Sequence, residues 1–522
     1  MYDKVVYQIY PKSFKDTNGD GFGDIKGIIE KLDYLSWLGV DYLWLTPMYL
    51  SPENDNGYDI SNYKQINPQY GSMEDLEELI KQADKLNIGI MMDMVFNHTS
   101  SEHPWFKQAL AGDKYYQDYY IFKDEPTNWE SKFGGSAWEY IENLDKYYLH
   151  LFDKSQPDLN WDNPQVREEV KNIILFWKEK GIKGFRFDVI NLISKPDVFR
   201  DDNEGDGRRY YTDGPHVHDY IKEIVNDTGI EDCITVGEMS STSLDNCIKY
   251  SGSKTKELAM CFNFHHLKID YPNNQKWVLA KPDLKQMKFL FKYWQEGMQA
   301  GDAWSALFWC NHDQPRIVSR LGDEGKYWME SAKMLATYIH FLRGTPYIYQ
   351  GEEIGMTNAH FKSIDQYRDV ESLNMYQLLD KNEDRLNILG ERSRDNSRTP
   401  MQWDTKIRKS WIEINPNCKN INVENQIHNE DSILNYYRKL IKLRKTYPII
   451  AKGNVEFIDT KDDELVIYKR FLDDDVLICF YNFSDKNLEF DCDLNYFFGN
   501  YISAPSNFLR PYECAIYSKG IY

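Results

Sequence analysis

Four apolar runs in this sequence end in groups that can carry charge or move protons. They are Asp93-Met94-Val95-Phe96-Asn97-His98, Gly184-Phe185-Arg186-Phe187-Asp188, Thr235-Val236-Gly237-Glu238 and Phe308-Trp309-Cys310-Asn311-His312-Asp313. Ionisable side chains are costly to bury without a purpose. Carboxyl groups collected on one face are what nucleophilic and acid–base chemistry require. Arg186 and Asp188 stand two residues apart, so on a strand they share a face. There the guanidinium can hold the carboxylate ionised. Alone, an Asp–Arg pair is more commonly structural. Charged ends on four separate runs favour an enzyme.

A second cluster of oxygen ligands is Asp16-Thr17-Asn18-Gly19-Asp20-Gly21-Phe22-Gly23-Asp24. Hard cations such as Ca²⁺ take about six to eight oxygens, and oxygen side chains at alternate positions can wrap one centre. The bidentate glutamate of an EF-hand is missing, since its position falls on Gly27. An Asp/Asn/Gly turn without metal is the alternative.

Short apolar runs alternating with amphipathic segments must position these groups. The pattern predicts strands at Val5–Tyr10, Tyr42–Leu45, Gly89–Val95, Gly184–Asp188, Ile234–Gly237, Leu258–Phe262, Ser305–Trp309 and Tyr347–Tyr349. Helices are expected at Ile25–Leu38, Ser72–Leu86, Pro164–Lys180, Gly214–Val225, Leu284–Gly297, Lys326–Leu342 and Ser432–Tyr447. Eight such units imply an α/β chain closed as a (β/α)₈ TIM barrel, whose strand C-termini converge on the active face. The expected domains are barrel segments 1–98 and 164–447, an inserted subdomain at 99–163, and a C-terminal antiparallel β domain at 448–522. A second excursion, about 352 to 430, reads as irregular. Period-two runs such as Leu465–Arg470 and Val476–Tyr481 mark the last domain.

At 522 residues the chain exceeds one ordinary core. The formal charge of −20 argues against nucleic acid or an anionic membrane as partner. No apolar run approaches the ~18 residues of a membrane span, and Met1–Tyr7 has no basic region followed by a long apolar one. Eight cysteines without a CxxC pair suit reduced, mostly buried thiols, hence a cytoplasmic protein. Oligomeric state is not legible.

The motifs Asn56-Gly57-Tyr58-Asp59, Asp93–His98, Gly184–Asp188, Gly237-Glu238-Met239, Asn311-His312-Asp313-Gln314 and Ser397-Arg398-Thr399-Pro400-Met401-Gln402-Trp403 resemble, in this order, the α-amylase family of glycoside hydrolases. The resemblance covers essentially the whole chain. Within the family it is similar to small-substrate exo-glucosidases. It rests further on Tyr210-Tyr211-Thr212-Asp213-Gly214-Pro215, on His265–Pro272 and on Phe308–Arg316. Relatives that cut 1,6 linkages typically lack His265-His266-Leu267-Lys268. After Trp403-Asp404, the usual Gly- and Thr-rich loop is replaced by Thr405-Lys406-Ile407-Arg408-Lys409-Ser410.

The resemblance implies retaining hydrolysis through a covalent glucosyl–Asp intermediate. Asp188 would be nucleophile, Glu238 acid/base and Asp313 the third carboxylate, set on the sugar's 2- and 3-hydroxyls. Asp55, Tyr58, His98, Arg186, His312 and Arg398 would surround the same ring, with Asp55 and Arg398 closing its 4- and 6-hydroxyl end. His265, Lys268 and Lys276, in the loop after the sixth strand, would supply charges and donors to a phosphate; a solvated basic loop is the alternative. The implied substrate is a phosphorylated disaccharide, α,α-trehalose 6-phosphate, and the alternative is an isomaltose-type sugar. A transferase, a sugar isomerase or a non-catalytic amylase-like subunit is less favoured. Relatives also hold a structural calcium through Asp16, Asn18, Asp20 and Asp24 side chains and the Phe22 carbonyl. No organic cofactor is implied.

Overall fold

A computed structural model describes residues 1–255, 257–381 and 384–520. It divides into two compact units, residues 1–43 with 265–522, and residues 44–264.

In the 44–264 unit the strands Gly89–Met94, Gly184–Phe187, Ile234–Glu238 and Met260–Phe262 pair in parallel, in that order. The middle two are buried on both faces over residues 184–187 and 234–237, as parallel strands under helices must be. Register sets Asp93 opposite Arg186 and Arg186 opposite Val236. Since faces alternate with period two, Glu238 then lies on the face that carries Asp93 and Arg186. Helix Pro164–Glu179 begins with Pro at its first position and an Asn163 side chain capping Gln165 N–H. Within 99–163 there are two short helices, Pro104–Leu110 and Lys114–Gln117, and a three-stranded antiparallel sheet. Trp129, Trp138 and Leu149 of that segment pack against Val189 and Leu192, which follow the Gly184–Phe187 strand.

In the other unit Val6–Ile9 pairs in parallel with Thr345–Tyr349, which pairs with Ala306–Leu307. Residues 454–519 form a five-stranded antiparallel sheet. Its strand Asn454–Ile458 alternates exposed and buried residues, the signature of a one-sided sheet.

Several boundaries differ from the sequence reading. The first helix is broken at Lys31 into Ile25–Glu30 and Leu32–Leu38. The expected strand Ser305–Trp309 keeps ladder partners only at Ala306–Leu307, while the Trp309 indole N–H donates to Leu335 O. The stretch 352–430 is less irregular than expected. It holds helices Val370–Leu378, Arg385–Arg392, Asp395–Arg398 and Val423–Gln426. These are short and mostly start at Asp or Asn caps, so no long apolar stripe announces them. Among the described residues all eight cysteines are unpaired, and no helix is long and apolar enough to cross a membrane.

Candidate active site

Arg186 organises the 44–264 unit. Its Nη1 donates to Asp93 Oδ1 at 2.6 Å and to Asp188 Oδ1 at 2.5 Å, and its Nη2 donates to Glu238 Oε2. Three carboxyls thus share one guanidinium that is 2% exposed. Burial drives the Asp188 carboxyl up to about 6; Arg186 opposes that and Asp93 adds to it. Asp93 is likewise raised by burial against the pull of Arg186. Arg186, which burial alone would lower, is held above its ordinary value by Asp93 and Asp188.

The sequence reading did not single out Asp93 as a site residue. Its Oδ2 accepts from the Trp44 indole N–H at 3.1 Å and the Tyr58 hydroxyl at 3.0 Å, so it fixes Arg186 from behind and orients Tyr58. Its place opposite Arg186 in the parallel ladder was the available signal. Two carboxylates on the two Nη atoms of one guanidinium stand only a few ångströms apart. A retaining pair needs its carboxyls about 5–5.5 Å apart, and one shared guanidinium draws these two together. A Cβ on Gly237, beside Glu238, would meet side-chain atoms of Leu258 and Met239 at 2.5 Å, so the position admits only glycine without repacking.

His98 is buried and held below its ordinary value by burial. Its Nε2–H donates to Tyr58 O at 3.1 Å, and its Nδ1 lies 3.3 Å from Asn97 Nδ2. Gln156, which the sequence did not flag, lies 3.2 Å from His98 Nε2 and donates to Asp55 Oδ2 at 3.1 Å. Asp55, Tyr58 and His98 are therefore brought together with Arg186, Asp188 and Glu238 in one unit.

In the other unit Asp313 Oδ1 accepts from Arg398 Nη2 at 2.8 Å and Arg394 Nη1 at 3.2 Å, while Oδ2 lies 3.2 Å from His312 Nε2. Burial would raise this carboxyl, but His312, Arg394 and Arg398 hold it well below the usual carboxylate range. Gln8 Nε2 lies 2.9 Å from His312 Nδ1. Arg394 also pairs with buried Asp369 at 2.6 Å. Arg394, Asp369 and Gln8 are further residues that the sequence reading missed. Arg394 stands one helical turn before Arg398, which was its signal.

Residues 8–453 match the Alpha-amylase family model, described as Alpha amylase, catalytic domain. The chain belongs to the α-amylase family. It is 53% identical over 497 residues to Trehalose-6-phosphate hydrolase of Bacillus subtilis (strain 168), covering 92% of this chain and 89% of that one. It is 46% identical over 512 residues to an Oligo-1,6-glucosidase of Bacillus cereus, covering 94% and 92%. A crystal structure of Bacillus licheniformis trehalose-6-phosphate hydrolase superposes with a TM-score of 0.97 at 51% identity, covering 99% of each chain. This is an α-amylase-family glycoside hydrolase with the family's (β/α)₈ fold and C-terminal antiparallel sheet.

For this α-amylase-family chain the basic loop reads differently from the sequence expectation. His265 and Lys268 line one cavity of about 480 Å³ together with Lys281 and Asp283. Lys276 is not among its lining residues; its Nζ pairs with Glu371 at 2.6 Å and lies over the Trp277 ring. The His265 ring packs on Trp294 at 4.9 Å, and burial, with Lys268 nearby, lowers it to about 4. At neutral pH it is an uncharged imidazole and not the point charge that the sequence suggested.

In the 16–24 loop the donor set is all oxygen, the chemistry of a hard cation. Those oxygens accept from the loop's own N–H groups: Asp16 from Asn18, Gly19 and Gly21, Asn18 from Asp20, and Asp20 from Phe22. Asp24 caps helix Ile25–Glu30 through Gly27 N–H and also accepts from Thr17. Asp16 Oδ1 and Asp24 Oδ2 each accept two bonds, whereas Asp16 Oδ2, both Asp20 oxygens and Asp24 Oδ1 accept one each and keep a lone pair for a cation. Among the described residues no group of three or more His, Cys, Asp or Glu side chains is gathered for a metal ion.

Proposed function

We propose that this chain is a retaining α-glucosidase that hydrolyses α,α-trehalose 6-phosphate to glucose and glucose 6-phosphate. The observation that carries the chemistry is the sharing of Arg186 by Asp188 and Glu238. Ionised Asp188 attacks the anomeric carbon while protonated Glu238 gives its proton to the glycosidic oxygen. The bond to the leaving sugar breaks, glucose 6-phosphate departs, and a glucosyl–Asp188 ester remains. Water, deprotonated by the Glu238 carboxylate, then attacks the same carbon and frees glucose and Asp188. Two displacements at one centre retain its configuration. Asp313, His312, Arg398, Tyr58, His98 and Asp55 serve the hydroxyls of the glucosyl ring, as the family resemblance implies.

The phosphate assignment draws on the similarity to trehalose-6-phosphate hydrolases and on the cations around the cavity of His265 and Lys268. Lys276 lies outside the lining of that cavity and shares its ammonium with Glu371. A parallel assay on trehalose 6-phosphate, trehalose and isomaltose tests it: the phosphorylated sugar should have the highest kcat/KM. Preference for isomaltose would instead establish the oligo-1,6-glucosidase reading, which the second relative supports. Product analysis reports transfer or isomerisation, since another sugar can capture the same ester. We further propose a structural calcium at Asp16, Asn18, Asp20, Asp24 and the Phe22 carbonyl. A cytoplasmic location suits eight unpaired thiols.

A further inference from the structure

The ladder between Gly184–Phe187 and Ile234–Glu238 ends with the pair Phe187 and Gly237. Asp188 and Glu238 each stand one residue beyond it, at the point where the ladder between these two strands stops. Past that point a side chain carries the connection on. Asn191, fully buried and three residues after Asp188, donates through Nδ2 to Ser240 O at 2.8 Å and accepts through Oδ1 from Ser240 N–H at 2.9 Å. Ser240 lies two residues after Glu238. One amide thus closes a two-bond ring on the acid/base loop, as a strand neighbour would.

Asp213, in the loop that precedes helix Val217–Thr228, holds that amide in place. Its N–H donates to Asn191 O at 2.9 Å, and its Oδ1 accepts from Asn191 Nδ2 at 3.1 Å and Tyr250 hydroxyl at 2.7 Å. Its Oδ2 accepts from Thr242 Oγ1 at 2.9 Å and Asn246 Nδ2 at 2.8 Å. Both amide hydrogens of Asn191 are therefore used. The backbone around this knot is strained: Val189 has φ 35°, Asp213 φ 51° and Ser241 φ 56°. Left-handed residues without glycine persist only where their surroundings over-determine them, and they cluster at functional sites. A β-branched valine there, directly after Asp188, is the most costly of the three.

We propose that Asn191, oriented by Asp213, is a positioning residue that sets the acid/base Glu238 against the nucleophile Asp188. The inference rests on the roles given to those two carboxyls under Proposed function. A knot that served stability alone would weaken all turnover equally. One that aims the acid should matter most when the leaving group needs a proton.

The test compares the disaccharide that the wild-type enzyme hydrolyses best with 4-nitrophenyl α-glucoside, whose leaving group departs without protonation. For Asn191→Ala, kcat/KM on the disaccharide, which reports only formation of the glucosyl–Asp188 ester, should fall about 10²-fold, the scale of a 1 Å misplacement. On the nitrophenyl substrate the fall should stay under about tenfold, because the acid's contribution of about 10²–10⁴ is not drawn on there. KM should change little, and circular dichroism should remain that of the folded enzyme. Asp213→Asn, nearly isosteric, should shift selectivity in the same direction, and it decides the matter if Asn191→Ala does not fold. Equal losses on both substrates, or no loss, in a folded variant would overturn the proposal. Glu238→Gln serves as benchmark. If it lacks the same leaving-group selectivity, the acid/base assignment falls and this inference with it; if it shows it while Asn191→Ala and Asp213→Asn do not, only the positioning role falls.

Discussion

Asp188 must be ionised to attack, yet burial and Asp93 lift its carboxyl to about 6. The acid limb of kcat/KM is therefore expected near pH 6, well above the value of an exposed aspartate, and a pH–rate profile on a neutral glucoside reads it. The same shift acts on stability with a definite sign. A carboxyl raised in the folded state binds its proton more tightly there than in the unfolded chain. Its contribution is complete below about 3.8 and is lost as pH rises through about 6. Asp188→Asn removes that loss and relieves crowding on Arg186. Its melting temperature at pH 7 should equal or exceed that of wild type, while kcat falls by about 10⁴-fold or more. Retained turnover would remove Asp188 as nucleophile. Asp313 behaves oppositely, since two arginines and His312 hold it ionised: its contribution is present above the ordinary carboxylate range and lost as pH falls below it. Asp188, Glu238 and Asp313 were legible because each ends an apolar run. Asp93 and Arg394 were not singled out, because each holds another residue: for Asp93 only the pairing of distant segments reveals it, while Arg394 left the weaker local signal of its spacing from Arg398.

Elements with strong periodicity were read to within a residue or two, as with Tyr42–Leu45, Gly89–Met94 and Pro164–Glu179. Apolar alternation and capping residues fix these locally. The helices of 352–430 were missed because they are short and polar, and tertiary partners hold them. The 16–24 loop is the element whose two readings remain separable by experiment. If calcium binds, chelation should lower the melting temperature of wild type, and Asp20→Ala should abolish that shift. Asp24→Ala should cost about 1 kcal/mol even in chelator, because Asp24 caps helix Ile25–Glu30 through Gly27 N–H whatever else it binds. A wild-type thermogram unchanged by chelator would leave the loop as hydrogen-bonded Asx turns. That experiment distinguishes a metal loop from a turn more sharply than sequence can, since both use the same residues.

For the molecule as a whole, the charge of −20 opposes a dianionic substrate. Ionic strength shortens that repulsion to about 8 Å at physiological salt, while a cation in contact with phosphate is screened much less. Lys268 is the sequence-assigned cation on the cavity of His265, and neutral His265 adds at most a hydrogen bond there. A hydrogen bond to a charged group contributes about 1.5–3 kcal/mol. Lys268→Ala should accordingly raise KM for trehalose 6-phosphate by roughly tenfold to a hundredfold and leave 4-nitrophenyl α-glucoside unaffected. Salt supplies a second, independent reading. Added salt weakens the attraction of Lys268 and also the repulsion of the whole surface, so in wild type the two effects oppose each other. Removing the lysine leaves mainly the repulsion. Between 10 and 150 mM NaCl, KM for the phosphorylated sugar should then fall more, or rise less, in the variant than in wild type, with the neutral glucoside flat in both. Parallel salt curves for the two proteins would show that Lys268 does not meet the phosphate, and the cation would have to be sought elsewhere on the chain.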